Sequence, residues 1–274
     1  MFKITDFLKK KRNKQAITML TCYDSIFSQL FNHTPIDAIL VGDSTAMVSH
    51  GHKSTITATI EMMISATKSV ACSNNNQAIV ADLPFLSYRI SKDHTMRSVL
   101  KLMQAGAHGI KLEGSDDNCP TIEYIVKSGV PVMGHIGLTP QHLHQLGGYR
   151  VQGKTQLQAQ KLISQAKQLE SAGCFAIVLE CIPSSLAKQI SNLLKIPCIG
   201  IGAGQSVDGQ ILVLYDLLGL NNQFQAKFCK KYLNGFDLVQ QAISRYCLEV
   251  KNKKFPLAEH SFQTKEVLDN ASGY

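Results

Sequence analysis

Eight short runs of aliphatic and β-branched residues recur along the chain: AITMLTCY (16–23), IDAILVGD (36–43), AIVADLPF (78–85), HGIKLEG (108–114), VPVMGHIG (130–137), CFAIVLEC (174–181), IPCIGIGAG (196–204) and ILVLYD (211–216). Longer amphipathic stretches separate them, among them TIEMMISATKSVAC (59–72), TMRSVLKLMQAG (95–106) and KTQLQAQKLISQAKQLESAG (154–173). In the last of these, Leu157, Leu162, Ile163, Ala166 and Leu169 recur at helical spacing, and Gly173 stands where a helix would end. Apolar strands with helices between them predict a parallel sheet covered on both faces. Eight strands within about 200 residues predict an α/β chain of the (β/α)8, or TIM-barrel, class, whose usual length is about 250 residues. The alternative is an open doubly wound sheet. It would usually carry a glycine fingerprint after its first strand, and TCYDS (21–25) has no glycine.

No shift in composition marks a linker. The expectation is one domain over 1–274, with the barrel at about 16–220 and C-terminal helices and a tail at about 221–274. Within that tail KKFPLAEHSF (253–262) reads as an ordered loop.

Four of the apolar runs arrive at an acid: Asp43, Asp82, Glu113 and Glu180. In a parallel barrel the C-terminal strand ends form the active-site face, so these four are expected at one mouth. Taken singly, each has a plainer reading as a helix cap or a solvated loop acid, and Asp43 before STAM is a fair capping candidate. Together they need compensation, because desolvating an unpaired carboxylate costs several kcal/mol. A divalent cation is the simplest source, and oxygen donors without nearby Cys or His favour Mg²⁺ over zinc. The alternation of a strand puts Lys111 on the same side as Glu113, either beside an anionic substrate or as a structural ion pair. The histidine pairs of HGH (50–52) and HLH (142–144) are assigned no metal. The G-x-G-x-G of IGIGAG is read as a glycine-rich barrel loop rather than a dinucleotide site.

Bulk properties narrow the picture. Hydrophobic residues make up 45% of the 274, which argues against extensive disorder. No stretch approaches the roughly 18 apolar residues of a membrane span, and the N-terminal segment lacks the apolar core of a signal peptide. The KKKR run (9–12) reads as a solvated helix end. Eight cysteines without a C-x-x-C pair suggest reduced thiols and a cytoplasmic setting. The net charge of +8 comes from scattered residues, and Trp is absent, so small anionic ligands are expected rather than nucleic acid or membrane.

The motifs VGDS…GH..ST, VADLPF.SY, KLEG, GH.GLTPQ, GGY.VQG, LEC.P, IGIGAG…DGQ and FP..EHSF occur in order from about residue 16 to 262. In this the chain resembles the ketopantoate hydroxymethyltransferase (3-methyl-2-oxobutanoate hydroxymethyltransferase) family. The resemblance implies a (β/α)8 barrel assembled as a large homo-oligomer, a decamer in bacterial members. It also implies transfer of a one-carbon unit from 5,10-methylenetetrahydrofolate to 3-methyl-2-oxobutanoate, through a Mg²⁺-stabilised enolate, to give ketopantoate for pantothenate and coenzyme A. By the same resemblance Asp43 and Asp82 would ligate Mg²⁺, with Glu113 joining or orienting its shell. Asp43, Ser44, Asp82 and Lys111 would hold the keto acid, Glu180 would be the proton acceptor, and His135 would line the pocket.

Three loop positions depart from the family pattern: Lys53 in HGHKST, STAM after Asp-Ser, and Ser115 in place of a second glycine after KLEG. They bear on loop shape rather than on the chemical groups. Two competing readings carry specific expectations. A Mg²⁺-dependent lyase of the isocitrate-lyase type would bring a catalytic cysteine after paired lysines, which IKLEG does not offer. A catalytically silent scaffold would have lost at least one of the acids.

Overall fold

Successive residues of a strand face opposite sides, and here that alternation sorts two sets of apolar side chains. Ile17 and Met19, Ala38 and Leu40, Ala78 and Val80, Met133, Ala176 and Val178, Ile199 and Ile211 form one buried cluster. Their neighbours, including Ile39, Val41, Ile79, Ala81, Ile110, Leu112, Ile136, Ile177 and Leu179, join a second with the helices. One cluster fills the inside of a closed sheet and the other lies between sheet and helices.

The structure is a computed structural model and describes residues 1–222 and 226–262. Eight parallel strands close in sequence order: β1 (Ile17–Thr21), β2 (Ala38–Val41), β3 (Ala78–Asp82), β4 (Gly109–Lys111), β5 (Val132–Gly137), β6 (Ala176–Glu180), β7 (Cys198–Ile201) and β8 (Gly209–Leu212). The helices are α1 (Ile4–Arg12), α2 (Ser25–Phe31), α3 (Thr45–Val48), α4 (Ile60–Ala71), α5 (Lys92–Gln104), α6 (Cys119–Lys127), α7 (Leu143–Leu146), α8 (Gln156–Ser171), α9 (Ser184–Leu193), α10 (Leu214–Leu217) and α11 (Gly235–Lys251). This is the (β/α)8 barrel expected from the pattern. The three amphipathic stretches are α4, α5 and α8. Thr59, Ser91 and Thr155 cap them by accepting from the backbone N–H groups of Met62, His94 and Gln158. Among the described residues no helix is long and apolar enough to cross a membrane.

Two expectations are corrected. ILVLYD is a strand only as far as Leu212, and Leu214–Leu217 is a helical turn. The β1 ladder runs out at the Leu20–Leu212 pair, and the Thr21 hydroxyl then accepts from the Leu214 N–H at 3.0 Å. A short apolar run does not by itself distinguish a strand from a buried turn of helix. The KKKR run does end a helix, but two of its residues are turned inward rather than solvated.

That helix, α1, closes the floor of the barrel. Phe7 is fully buried against the inner cluster, with the rings of Phe2 and Phe175 at 5.3 and 5.2 Å. Lys10 Nζ lies 2.6 Å from Asp37, and Lys11 Nζ 2.7 Å from Asp208. Asp208 also accepts from the Ser191 hydroxyl at 2.9 Å and the Cys198 N–H at 2.8 Å, tying α1 to α9 and β7.

The wall is thinner beside β8. Only the one-turn α10 follows that strand closely, and a groove of about 400 Å³ remains outside, lined by Thr18, Leu20, Phe27, Leu30, Leu214 and Leu217. Further on, α11 has Gly235 as its one buried residue and exposes Phe236, Val239, Ile243, Tyr246 and Val250 along one stripe. In the loop after it the Phe255 ring meets Tyr246 edge-on and His260 at a tilt. Residues 223–225 and 263–274 of the expected C-terminal segment lie outside the described residues.

The floor contacts predict a measurable loss. Asp208→Ala is expected to lower the unfolding free energy by about 2–4 kcal/mol, since it strands a partly buried ammonium and two donors. The urea midpoint checks this, and a midpoint equal to the parent's would show that α1 does not brace the floor.

Candidate active site

The interior parity that carries apolar side chains lower in the barrel carries polar ones at its mouth. After Ala78 and Val80 it reaches Asp82. In β4 and the turn beyond, it reaches Lys111 and Glu113, in β5 His135, and in β6 Glu180. Asp43 lies just beyond β2 and turns in by another route. Its backbone N–H donates to Asp82 Oδ2 at 3.1 Å, which sets the two carboxylates side by side. Asp43, Asp82, Lys111, Glu113 and His135 are all between 1% and 4% exposed.

Their contacts form a chain across the mouth. Lys111 Nζ sits 2.9 Å from Asp82 Oδ1, 3.9 Å from Glu113 Oε1 and 3.3 Å from His135 Nδ1. His135 Nδ1 is 3.4 Å from Glu113 Oε1, and its Nε2 is 3.2 Å from Glu180 Oε2. The histidine of β5 therefore bridges two acids at the ends of the strands on either side of it, β4 and β6. Ser44 is half-buried, its hydroxyl 2.8 Å from that of Tyr23. All seven residues expected at the mouth are brought there.

Burial and charge set the protonation states. Burial lifts Asp43 well above the usual carboxylate range, and the neighbouring charges of Asp82 and Glu113 lift it further. Burial also raises Asp82, against the pull of Lys111. Glu113 is held low: burial pushes it up, but the hydrogen bond and charge of His135 and the charge of Lys111 outweigh that. Burial and Lys111 press the His135 imidazole down, yet Glu113 and Glu180 hold it up to about 9. Four carboxylates thus face two cations, and the shortfall of positive charge falls at Asp43 and Asp82.

Several residues that sequence reasoning left unassigned complete the site. Gln141 donates from its side chain to Asp43 Oδ2 at 2.8 Å and to the Leu83 carbonyl at 3.0 Å. Its backbone N–H reaches Glu113 Oε2 at 3.0 Å, and its side-chain carbonyl accepts from the Tyr88 hydroxyl at 2.8 Å. One residue thereby orients two acids, Asp43 through its side-chain amide and Glu113 through its backbone N–H. Its signal is Pro140, which starts the 3₁₀ turn Pro140–His142 and presents Gln141 inward. Two backbone features fix the Glu180 end. Gly137, at φ 97°, presses so close that a Cβ there would collide with the Glu180 carbonyl oxygen. Cys181, at φ 47°, turns the chain sharply out of the strand, and its carbonyl accepts from the Gln152 N–H at 2.9 Å. Tyr149, on the loop leading to Gln152, reaches Met47 Sδ at 3.8 Å. Its pKa is raised by burial and by the charges of Glu180, Asp43 and Glu113. The glycines of IGIGAG serve packing instead: at Gly204 a side chain would run into Ser184.

A family model described as ketopantoate hydroxymethyltransferase matches residues 1–258. The chain belongs to that family. A curated 3-methyl-2-oxobutanoate hydroxymethyltransferase of Legionella pneumophila (strain Paris) is 52% identical over 261 residues, covering 95% of this chain and 100% of the relative. Its counterpart in Francisella tularensis subsp. novicida (strain U112) is 52% identical over 262 residues, covering 96% and 99%. Membership of this family makes the chain an enzyme, a hydroxymethyltransferase acting on 3-methyl-2-oxobutanoate. Among solved structures, a phosphonopyruvate hydrolase complexed with oxalate and Mg++ superposes with a TM-score of 0.63 at 11% identity, over 95% of this chain and 93% of that one. A phosphoenolpyruvate phosphomutase from Streptomyces platensis subsp. rosaceus gives 0.61 at 12% identity, over 92% and 88%. These two likenesses concern the fold.

Whether the family's mouth suits a metal can be judged from the donors. Among the described residues no group of three or more His, Cys, Asp or Glu side chains is arranged to hold an ion. Glu113 has both oxygens engaged, by His135 and Lys111 on one side and Gln141 on the other. Asp82 also has partners at both oxygens, Lys111 and the Asp43 N–H, and Asp43 has Gln141 at one, but as an adjacent pair short of positive charge they remain hard oxygen donors. That set fits Mg²⁺, which is commonly held through one or two carboxylates while keeping water or substrate oxygens.

The His135 shift predicts a pH dependence. A histidine raised from 6.5 to about 9 contributes stability that is complete below its unfolded pKa and lost as pH climbs through the folded one. Unfolding free energy is expected to fall by on the order of 2–3 kcal/mol between pH 6.5 and 9.5. In His135→Asn that fall should be absent. Parallel pH profiles for the two proteins would assign the change to other groups.

Proposed function

We propose that the mouth converts 3-methyl-2-oxobutanoate into a carbon nucleophile and joins it to the one-carbon unit of 5,10-methylenetetrahydrofolate, giving ketopantoate for pantothenate synthesis. The observation that carries this reading is the juxtaposition of the Asp43–Asp82 pair with Glu180, which is set by His135 at 3.2 Å. Asp43 and Asp82 would hold the divalent cation, with Glu113 orienting the array through His135 and Gln141. A bound Mg²⁺ would supply a Lewis acid that polarises the ketone and makes the C3 hydrogen more acidic. The solved phosphonopyruvate hydrolase of like fold is complexed with oxalate and Mg++.

The chain's own groups do the rest. Ser44 and Lys111 hold the keto acid, and Lys111 offsets the negative charge that grows on its oxygens. Glu180 takes the C3 proton, and the ring of His135 keeps its carboxylate aimed. Water adds to the folate-borne methylene, whose two carbon–nitrogen bonds break to leave tetrahydrofolate with its nitrogens protonated and the one-carbon unit as formaldehyde. The C3 carbanion adds to that carbonyl carbon, and its oxygen takes a proton to become the new hydroxyl.

The reading is tested by following exchange of the C3 hydrogen of 3-methyl-2-oxobutanoate in D₂O without folate. Exchange is expected with Mg²⁺ and should stop after exhaustive EDTA treatment. Glu180→Gln should exchange about 10²–10⁴-fold more slowly, the usual contribution of a general base. Parent-rate exchange in that variant removes Glu180 from the role, and EDTA-resistant exchange removes the metal.

We further propose that the chain works as a homo-oligomer, a decamer by family resemblance. Among the described residues the apolar stripe of α11 stays largely exposed, with Phe255 meeting it only at Tyr246, while the apolar groove beside β8 lies where a barrel's eighth helix would pack. A second copy can satisfy both. Light scattering should report a multimer for the parent and a smaller species for the double variant Ile243→Lys, Tyr246→Lys. A parent of monomer mass would rule the assembly out.

A further inference from the structure

Beside the first turn of α8 the connection from β5 to β6 shapes an open cavity of about 640 Å³, lined in part by Leu146, Tyr149, Arg150, Val151, Lys154 and Gln158. That volume is in the range of sites for drug-sized ligands, about 300–1,000 Å³. Its two charged lining residues are both cations. Among the described residues neither Arg150 nor Lys154 makes an ion pair, although acids elsewhere on the surface are paired with lysines and arginines. Tyr149 and Val151 are 51% and 43% exposed, so an aromatic face and an aliphatic one stand open beside those charges.

Two of its lining residues contact elements next to the reaction centre. Tyr149 reaches Met47 of α3 at the rim, and the Gln152 N–H is bonded to the carbonyl of Cys181, the residue after Glu180. Lys154 stands beside the first turn of α8. A ligand lying here would be near the mouth and beside Arg150 and Lys154, which make no ion pair among the described residues.

We propose that this cavity is the binding site of the folate co-substrate, with its aromatic portion against Tyr149 and Val151 and its glutamate carboxylates at Arg150 and Lys154. The inference rests on the hydroxymethyl-transfer reading above. A ligand with a flat heteroaromatic head and an anionic tail matches a cavity that offers one open aromatic ring and two free cations. The buried mouth is left to the small keto acid.

The test is steady-state kinetics with 5,10-methylenetetrahydrofolate as the varied substrate, in the whole protein and in the double variant Arg150→Gln, Lys154→Gln. The KM for the folate is expected to rise about tenfold or more, as for loss of charge-assisted contacts that are partly open to water. The KM for 3-methyl-2-oxobutanoate should move less than about twofold, because the keto-acid contacts lie elsewhere. Lys167→Gln, an exposed lysine on the same helix outside the cavity, controls for net charge and should leave the folate KM as in the parent. An unchanged folate KM in the double variant overturns the proposal. So does a parallel rise in both KM values, or an equal rise in Lys167→Gln. Failure of the parent itself to use the folate donor sinks the underlying functional reading and this site with it, and is told apart because it shows before any substitution is made.

Discussion

Closing a parallel sheet on itself forces the inward-facing side chains at its C-terminal rim into one small volume, and here four of them are carboxylates. Lys111 is the group that makes this tolerable. Its ammonium, 2.9 Å from Asp82 and within reach of Glu113 and His135, is raised by Asp82, Glu113 and Asp43 despite a burial that alone would lower it. Compensation stops short of neutrality, though, and the residual strain is concentrated on the Asp43–Asp82 pair. A site left electrostatically incomplete in this way is one that added positive charge would stabilise.

The two ends of the barrel handle charge in opposite ways. At the floor, Lys10 with Asp37 and Lys11 with Asp208 are matched one to one and knit α1 to the strands. At the mouth the acids outnumber the cations. Conserving free energy at one end while withholding compensation at the other fits the general separation in such barrels between a stabilising face and a reactive one.

Much of this was legible in the sequence for one reason: strand alternation has a period of two, so KLEG alone puts Lys111 and Glu113 on a common side. The barrel followed from eight apolar runs with helices between them. What could not be read was set by turns rather than by periodicity. Asp43 enters through its own backbone N–H bonded to Asp82, and Gln141 through a one-turn 3₁₀ helix in a loop. The inward pairing of Lys10 and Lys11 depended on partners 27 and 197 residues away, so a basic run looked solvated. ILVLYD misled because a strand's end is fixed by where its neighbour's ladder stops.

Gly137 sets a limit on how this mouth can be reshaped. The strand bearing His135 leans on the carbonyl of Glu180 with no room for even a methyl group, so the spacing between those two side chains is written into the main chain. Enlarging the site for a bulkier keto acid at this seam would therefore spread the strands and uncouple the histidine from the glutamate. Room would have to come from the side of α3, where Met47 meets Tyr149 through side chains.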